Sequence, residues 1–399
     1  MDSDLAVVPG GIYIHIPFCR RKCRYCDFYS TTDLSLKNAF LNALEREIKL
    51  TNPGPLKFDS LYIGGGTPTA LNADEICRIV EIAGRYFNIL PDAELTLEVN
   101  PGTVTLDKFR LYKKIGINRL NIGVQSFNDS CLQFLGRIHT ASEAMDCVQW
   151  ARQAGFANVG LDLIYGIPGQ DLAGWCGDLI QALNLAPEHL SCYMLTCEGG
   201  TPLAQDVRKG RAQMPPDGLL SELLDSTAAF LSANGFSHYE ISNFARKTED
   251  KSRSLASRHN QKYWSFAPYI GLGPAAHSFI EPLRYWNISD INTYISEAEA
   301  GRLPLAQKET LTTEQLIIES IYLGLRKISG IDLLWFNLRY GLDFHMTFKE
   351  IIEELTTEGL ITISETHCAL SHKGLAMLDS VAAMFTNQEL EARSLPNDT

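Results

Sequence analysis

Short runs of β-branched and other apolar residues alternate, over the first 235 residues, with longer segments whose apolar positions recur at helical spacing. The short runs are typical of buried strands and the longer segments of amphipathic helices. The predicted strands are 12–16, 60–63, 94–99, 119–123, 158–164 and 190–194. The predicted helices are 34–50, 72–88, 105–115, 141–154, 171–185 and 217–234. A strand and a helix thus recur about every 30 residues, which is typical of parallel strands joined by helical crossovers.

Six strand–helix units predict an α/β fold, a partial (β/α)6 barrel related to the eight-stranded α/β barrel. An open, doubly wound parallel sheet is the alternative. In both folds ligands bind at the carboxyl ends of the strands, so we expect one face to collect the functional residues. The unusual residues at those ends are a cysteine-rich loop, the run Gly-Gly-Gly-Thr-Pro at 64–68, Glu98, Gln125, Asp162 and Thr196.

The pattern changes after about residue 245. Helices are predicted at 312–327, 332–338 and 345–357, followed by a short hairpin at 360–370 and a last helix at 373–385. Helices followed by a small hairpin predict a mainly helical, winged-helix-like C-terminal domain. The predicted organisation is a tail at 1–10, the barrel at 11–245, a connecting segment at 246–305, the C-terminal domain at 306–386 and a disordered tail at 387–399.

Composition and charge narrow the class of protein. Of 399 residues, 45% are apolar and 21% charged, as in globular proteins. The formal net charge of −12 argues against nucleic acid as the main partner, and so against a winged-helix DNA regulator. The longest uncharged stretch, 263–280, contains prolines and glycines and is not expected to span a membrane. Ten cysteines without a secretory signal predict a reduced, cytoplasmic protein.

The most informative motif is a group of three cysteines, Cys19, Cys23 and Cys26, directly after the first predicted strand. Thiolates suit iron–sulfur clusters and zinc. Three thiols on one loop can hold three irons of a cubane cluster and leave the fourth iron open to a small molecule. Structural zinc would need a fourth protein ligand, and buried thiols without metal are the remaining alternative. The basic residues around the cysteines would offset the charge of an anionic cluster: Arg20, Arg21, Lys22 and Arg24.

Polar residues at neighbouring strand ends suit a zwitterionic amino acid and a ribose. Glu98 and Asp162 could hold ammonium and hydroxyl groups, and Arg137 could pair with a carboxylate. Any one of these residues, like Gln125, would alone more often have a structural role.

His259 stands beside Asn260 and shortly before Tyr263 and Trp264. A planar, hydrophobic ligand such as a porphyrin could contact the aromatic rings and take the imidazole as axial ligand. A buried aromatic corner, hydrogen-bonded by the histidine and the asparagine, explains the pattern equally well.

The chain resembles the radical S-adenosylmethionine superfamily, whose signature is CxxxCxxC, and within it the oxygen-independent coproporphyrinogen III oxidase group. The shared stretches are YIHIPFC at 13–19, GGGTPT at 64–69, EVNP at 98–101, GVQS at 123–126 with Arg137, and DLIYGIPG at 162–169. The resemblance implies a [4Fe–4S] cluster on the three cysteines, with S-adenosylmethionine on the open iron. It also implies cofactor contacts from Tyr13, Tyr25, Gly65, Gly66, Thr67, Glu98, Gln125, Arg137, Asp162 and Thr196.

Two features depart from the oxidase. Phe28 stands where the oxidase has a further cysteine, and only 18 residues precede Cys19. The run Cys26-Asp-Phe28 and the motif HNQKYW at 259–264 resemble instead the HemW family of heme chaperones. That resemblance implies heme binding, transfer to acceptor hemoproteins and an electron donor for the cluster. The motif does not settle the heme ligand, so His259 is a hypothesis for that role.

Three questions stay open at this point. Radical decarboxylation of coproporphyrinogen III is one rival activity, and a radical methyltransferase that opens heme is the other. Peripheral contact with a membrane is also left open, although no span is expected.

Overall fold

The computed structural model describes residues 8–250 and 253–386, so the predicted tail at 387–399 and most of the tail at 1–10 lie outside the described residues. Six parallel strands follow one another through the first half of the chain. They are β1 (Gly10–Ile16), β2 (Lys57–Gly65), β3 (Asn88–Val99), β4 (Arg119–Gln125), β5 (Val159–Tyr165) and β6 (His189–Met194). The helices between them are α1 (Lys37–Leu50), α2 (Ala73–Tyr86), α3 (Leu106–Lys114), α4 (Asp129–Leu135), α5 (Ala141–Gln153) and α6 (Leu172–Asn184).

Local chemistry defines where these helices begin. At α2 the Asn72 side chain accepts from the amide of Glu75, and the Glu75 carboxylate accepts from the amide of Asn72. Thr140 and Glu143 form the same reciprocal pair at α5. Each pair satisfies amides that a helix start otherwise leaves without partners, and so fixes the point at which the strand-to-helix loop ends.

The strands β1 to β6 are neighbours in sequence order and are all parallel. A doubly wound sheet reverses its strand order at a switch point, and no reversal occurs among these six strands. The predicted strands and the predicted barrel-type α/β arrangement are therefore confirmed, and the doubly wound alternative is not adopted.

The alternation of residues along β1 gives the sheet two different faces. Ile12, Ile14 and Ile16 are fully buried and belong to the core. Tyr13 and His15 point to the opposite face, where the Tyr13 hydroxyl lies 3.1 Å from Nδ1 of His15. We call this second side, lined by polar and aromatic residues, the inner face of the sheet.

The region after β6 adds both helices and strands. Its elements are α7 (Pro202–Arg208), α8 (Asp217–Ala233), β7 (Phe236–Glu240), β8 (Asn243–Arg246), α9 (Arg258–Trp264), β9 (Tyr269–Leu272), β10 (His277–Ile280), β11 (Leu283–Asn287), α10 (Ile291–Glu299) and β12 (Leu305–Thr310). The segment 246–305, predicted to connect the two domains, contains strands and helices of its own. It supplies β9, β10 and β11 to the main sheet, and β9 pairs in parallel with β1.

The twelve-stranded sheet runs in the order β12-β11-β10-β9-β1-β2-β3-β4-β5-β6-β8-β7. The first strand of the chain is therefore an interior strand, flanked by β2 on one side and by β9 on the other. Its carboxyl end, where the cysteine loop begins, lies between the ends of these two neighbours.

The C-terminal part has its own small core. It contains α11 (Thr313–Leu325), β13 (Ile331–Asp332), α12 (Leu333–Tyr340), α13 (Phe344–Thr347), α14 (Lys349–Thr357), β14 (Ile361–Ile363), β15 (His367–Leu370), α15 (His372–Leu375) and α16 (Leu378–Thr386). A three-stranded sheet in the order β13-β15-β14 accompanies the helices, as in the predicted winged-helix pattern. Its core includes Phe336 and Phe344, whose ring centroids are 5.0 Å apart.

Contacts divide the described residues into two compact units. The first contains the described residues up to His238, with Ser242–Lys262 and Ala267–Glu309. The second contains Tyr239–Ile241, Tyr263–Phe266 and the described residues from Thr310 onward. In the part of the chain that the structure describes, no helix is long and apolar enough to cross a bilayer.

Candidate functional site

The loop after β1 carries the three cysteines and is fixed at several points. The amide of Cys19 donates to the carbonyl of Thr31 over 2.9 Å, which closes the base of the loop. Farther along, the Arg24 amide donates to the carbonyl of Leu135, and the amide of Leu203 donates to the carbonyl of Arg24. The Arg24 guanidinium also pairs with Asp206. The cysteine loop is thus tied to α4 and α7 by contacts that do not involve the sulfurs.

The thiols differ in their surroundings. Cys19 is buried, and its Sγ accepts a hydrogen bond from the Thr67 hydroxyl over 3.5 Å. Cys23 is partly exposed, and its Sγ accepts from Nη1 of Arg137 over 3.4 Å. Burial raises the pKa of Cys19 and of Cys26. Donors directed at the sulfurs stabilise negative charge there, which is what thiolate ligation requires.

The glycine run at the end of β2 passes directly beside Cys19. An added Cβ on Gly66 would lie 3.0 Å from the Cys19 Sγ and 2.9 Å from the Phe18 carbonyl oxygen. Gly65 has a φ of +111°, and its amide donates to Glu98 over 3.1 Å. The positive φ of Gly65 and the close approach at Gly66 each require a residue without a side chain. The run therefore lies against the cysteine loop and Glu98, as a ligand cradle requires.

Polar residues on the inner face make pairs across the strands. The Tyr62 hydroxyl donates to Glu98 over 2.8 Å, and the Asn121 amide group donates to Asp162 over 2.6 Å. Burial is the main reason why the pKa of Glu98 rises to about 7, with the charge of Asp162 adding to it. Burial also raises the pKa of Asp162. Two carboxyl groups in one enclosed region form a site that favours a cationic or hydroxyl-rich ligand.

Arg137 connects three elements of the site. Its Nη2 donates to the side chain of Asn100 and to the carbonyl of Gly123, both over 2.8 Å. Its Nε has no hydrogen-bond partner among the described residues. Gln125 folds back over Gly123, where an added Cβ would lie 2.9 Å from its Nε2. Gln125 holds a φ of +71°, a strained value for a residue with a side chain, and such strain is often found at functional sites.

The other predicted residues take different positions. Tyr13 lies on the inner face, with its ring centroid 6.1 Å from that of Tyr62. Tyr25 packs in a small apolar cluster with Leu135 and Leu203. Thr196 is exposed, beyond the end of β6. The structure therefore groups most of the predicted residues near the cysteine loop and leaves Thr196 at the periphery.

Sequence reasoning missed several residues that position the site. Tyr62, Asn100 and Asn121 hold Glu98, Arg137 and Asp162, respectively. Strand alternation could have indicated Tyr62, because it lies two positions before Gly64 and therefore on the same face of β2. Strand alternation alone did not reveal which cross-strand neighbour each would meet.

His259 lies at the other end of the sheet. It is 1% exposed, its Nδ1 lies 3.0 Å from the Ser60 hydroxyl, and its ring stacks on Tyr62 at a centroid distance of 5.2 Å. An added Cβ on Gly11, near the start of β1, would lie 3.0 Å from the imidazole. Gly11 and Ile16 are five residues apart along β1, or about 16 Å in a strand. His259 thus occupies the amino ends of the strands, whereas the cysteines follow the carboxyl end.

This burial does not support His259 as an axial heme ligand. A porphyrin needs an open face beside the imidazole, and here tyrosine rings and strand backbone surround it. Burial lowers the pKa of His259 to about 3, so the ring is neutral. The geometry favours the second interpretation, a buried aromatic corner. In the second unit, Trp264 of the same motif lies under the Arg326 guanidinium at 4.4 Å.

Comparisons with known proteins place this site in a family. The model of the radical SAM superfamily matches residues 13–175, and that of the HemN C-terminal domain matches residues 311–377. The heme chaperone HemW of Bacillus subtilis is 34% identical over 380 residues, which cover 94% of this chain and 99% of that protein. The chain belongs to the HemW family of heme chaperones. HemW of Mycobacterium tuberculosis strain H37Rv is 33% identical over 389 residues, covering 94% of this chain and 95% of that protein.

Other relatives extend the family and confirm the fold. A bovine mitochondrial protein, radical S-adenosyl methionine domain-containing protein 1, is 30% identical and covers 96% of this chain and 88% of its own. The solved structure of HemN, the coproporphyrinogen III oxidase of Escherichia coli, aligns with a TM-score of 0.81 at 24% identity. That alignment covers 95% of this chain and 90% of HemN, and it establishes the shared architecture.

Membership of the radical SAM superfamily brings a [4Fe–4S] cluster and S-adenosylmethionine as cofactors. The donor set fits that cluster, because three thiols share one loop and hydrogen-bond donors point at two of the sulfurs. Within residues 8–250 and 253–386, no three His, Cys, Asp or Glu side chains come together closely enough to hold a single metal ion. Thiolates on three irons of a cubane stand farther apart than three ligands of one ion, so this finding bears on single-ion sites only.

Proposed function

We propose that this protein binds heme and passes it to acceptor hemoproteins, on a scaffold that carries the cluster and S-adenosylmethionine. The observation that carries this proposal is the match to HemW heme chaperones over almost their whole length. Phe28 supports it, since the extra cysteine of the oxidase is replaced here by a side chain that is 67% exposed.

In this proposal Cys19, Cys23 and Cys26 are the cluster ligands. When bound, the reduced cluster supplies an electron that can cleave the sulfonium of S-adenosylmethionine. The chain itself orients the sulfurs through Thr67 and Arg137. It also keeps the loop in place through the Arg24–Asp206 pair.

We propose that the residues around the glycine run bind S-adenosylmethionine. The Glu98 carboxyl group, with a pKa raised to about 7 by burial, would ionise beside the ammonium of the ligand. Arg137 offers its Nε to the ligand carboxylate, because its other nitrogens already have partners. The remaining proposed contacts are Tyr13, Tyr25, Gly65, Gly66, Thr67, Gln125, Asp162 and Thr196.

We propose a reducing compartment, the cytoplasm, as the site of action. All ten cysteines are free, which suits a compartment where thiols stay reduced.

Arg20 and Arg21 are exposed on the cysteine loop and offer an electron donor a positively charged docking surface. We assign no nucleic-acid partner, in keeping with the net charge of −12.

The deciding experiment titrates hemin into the full-length, cluster-loaded protein and then adds an apo-hemoprotein. We expect stoichiometric binding, followed by recovery of the activity of the acceptor with the porphyrin unchanged. Protoporphyrinogen formed over many turnovers from coproporphyrinogen III would contradict the proposal in favour of the oxidase. Loss of the Soret band during reducing turnover would instead identify a heme-opening methyltransferase.

A prediction for His259 follows from its position. His259→Ala should lower the free energy of unfolding by about 2–4 kcal/mol, because it leaves a cavity and removes a partner from Ser60. The absorption spectrum of bound heme should stay unchanged. Denaturant unfolding measures the loss of stability, and a hemin titration of the same variant measures the spectrum. Loss of the spectral features of an axial histidine would restore His259 as the heme ligand.

A further inference from the structure

The inner face of the sheet continues from β1 onto β9, β10 and β11. Tyr13 pairs with Gly271 in the parallel register of β1 and β9, and paired residues share a face. Tyr269 lies on the same face of β9, and its antiparallel partner on β10 is Phe279. His277, two residues before Phe279, therefore also points to the inner face.

His277 and Trp286 form the exposed part of this surface. They are direct cross-strand partners on β10 and β11. Their rings stack with a centroid distance of 5.5 Å and an interplanar angle of 19°. His277 is exposed and Trp286 half-buried. A cross-strand ring stack restricts the imidazole to one orientation, as supporting contacts do around a metal ligand.

An apolar surface continues from this ring pair. Phe279 is buried on the same face, 6.3 Å from the ring of Tyr269. Four aromatic or imidazole rings thus lie side by side on three adjacent strands. Arg284, opposite Phe279, is paired with Glu309 over 2.6 Å, so its charge is already balanced. The surface offers one exposed nitrogen ligand beside aromatic side chains, which suits a planar, hydrophobic, iron-bearing ring.

The location of this surface links it to the cofactor site. The antiparallel pair of Tyr269 and Phe279, continued by two residues along each strand, places Gly271 opposite His277. The Gly271 amide donates to the Ser278 hydroxyl over 2.9 Å. An added Cβ at Gly271 would lie 2.1 Å from the His277 carbonyl oxygen, so glycine is required for this approach. His277 therefore stands two strands away from Tyr13, or about 10 Å between backbones. His259 lies farther down the same face, at the closed amino end.

We propose that His277 is an axial ligand of heme, bound across β10 and β11 with the edge of Trp286 against the porphyrin. This inference rests on the proposed function, since it assumes that the chain binds heme, and it replaces His259 as the candidate ligand. The heme would bind on the inner face of the sheet, the same face as Tyr13.

The test uses His277→Phe, which keeps a ring to stack on Trp286 but removes the nitrogen ligand. Hemin is titrated into the cluster-loaded, full-length protein, and ferric heme is followed by electron paramagnetic resonance, in which the oxidised [4Fe–4S] cluster is silent. We expect the wild type to show an imidazole-ligated ferric heme. The variant should lose that signature and bind hemin about tenfold more weakly or worse. In His277→Gly, added imidazole should restore the signature.

His238→Phe is the matched control, because His238 is also a strand histidine stacked on an aromatic ring, Phe244, at 4.2 Å. It should bind hemin as the wild type does. An unchanged signature in His277→Phe would overturn the inference, even if affinity fell through lost packing, and would leave the proposed function intact. Failure of the wild type to bind hemin would overturn the proposed function itself and this inference with it.

Discussion

Alanine at Cys19, Cys23 or Cys26 should give a folded chain that no longer retains a [4Fe–4S] cluster. Iron content should fall from about four atoms per chain to near zero, and reductive cleavage of S-adenosylmethionine should fall to background. Folding should survive because the loop is held by backbone contacts to Thr31, Leu135 and Leu203 that do not involve the sulfurs. Iron analysis, electron paramagnetic resonance of the reduced protein and circular dichroism measure these three outcomes.

The control for these variants is Cys197→Ala, which removes an exposed thiol outside the cysteine loop. It should keep its iron and its cleavage activity. Hemin binding should persist in all four variants, because no heme ligand is assigned to the loop. A Cys23→Ala protein with a full complement of cluster iron would contradict the ligand assignment.

The free energy of unfolding should fall as the pH rises from 5.5 to 7.5 because of Glu47, a buried residue of α1. Its carboxyl group accepts from the Gly273 amide, the Asn287 side chain and the Tyr294 hydroxyl. Burial nevertheless raises its pKa from 4.5 to about 7. Between these values the native state keeps a proton that the unfolded chain has lost. The stabilisation from this group is complete below about pH 4.5 and is lost as the pH rises through 7.

The expected contribution of Glu47 over this range is about 2 kcal/mol. Denaturant unfolding of the wild type and of Glu47→Gln at both pH values measures it, and the variant should show the smaller loss. Glu45→Gln is the control on the same helix. Its ion pairs with Lys49 and Arg78 lower the pKa of Glu45, so its effect is confined to more acidic solution. Equal pH dependence in wild type and Glu47→Gln would refute the assignment.

The strand–helix rhythm predicted β1 to β6 because each contains a buried apolar run and is followed by a helix. The strands β9 to β11 were not predicted, since they have only four or five residues each. The short segments between them contain glycine and proline. No local pattern shows that Tyr269–Leu272 pairs with β1, which lies about 260 residues earlier. Pairing at such a distance depends on the whole fold.

The candidate site shows the same limit. The cysteine spacing and the glycine run were visible as patterns, and the structure brings Cys19, Gly66 and Thr67 together. The pattern around His259 fitted both a ligand and a buried corner, because periodicity does not show which end of a strand a later helix will cover. No sequence pattern indicated His277, since its ring-stacking partner Trp286 lies on a different strand.

The interior position of β1 has a consequence for synthesis. The cysteine loop follows β1, and that strand lacks one of its two neighbours until residues 269–272 have been made. Until then β1 presents an unpaired edge, and exposed edges invite wrong pairing and aggregation. Cluster insertion during translation would therefore act on an incomplete sheet. We expect the nascent chain to accept iron and sulfide stably only after residues 269–272 have been synthesised.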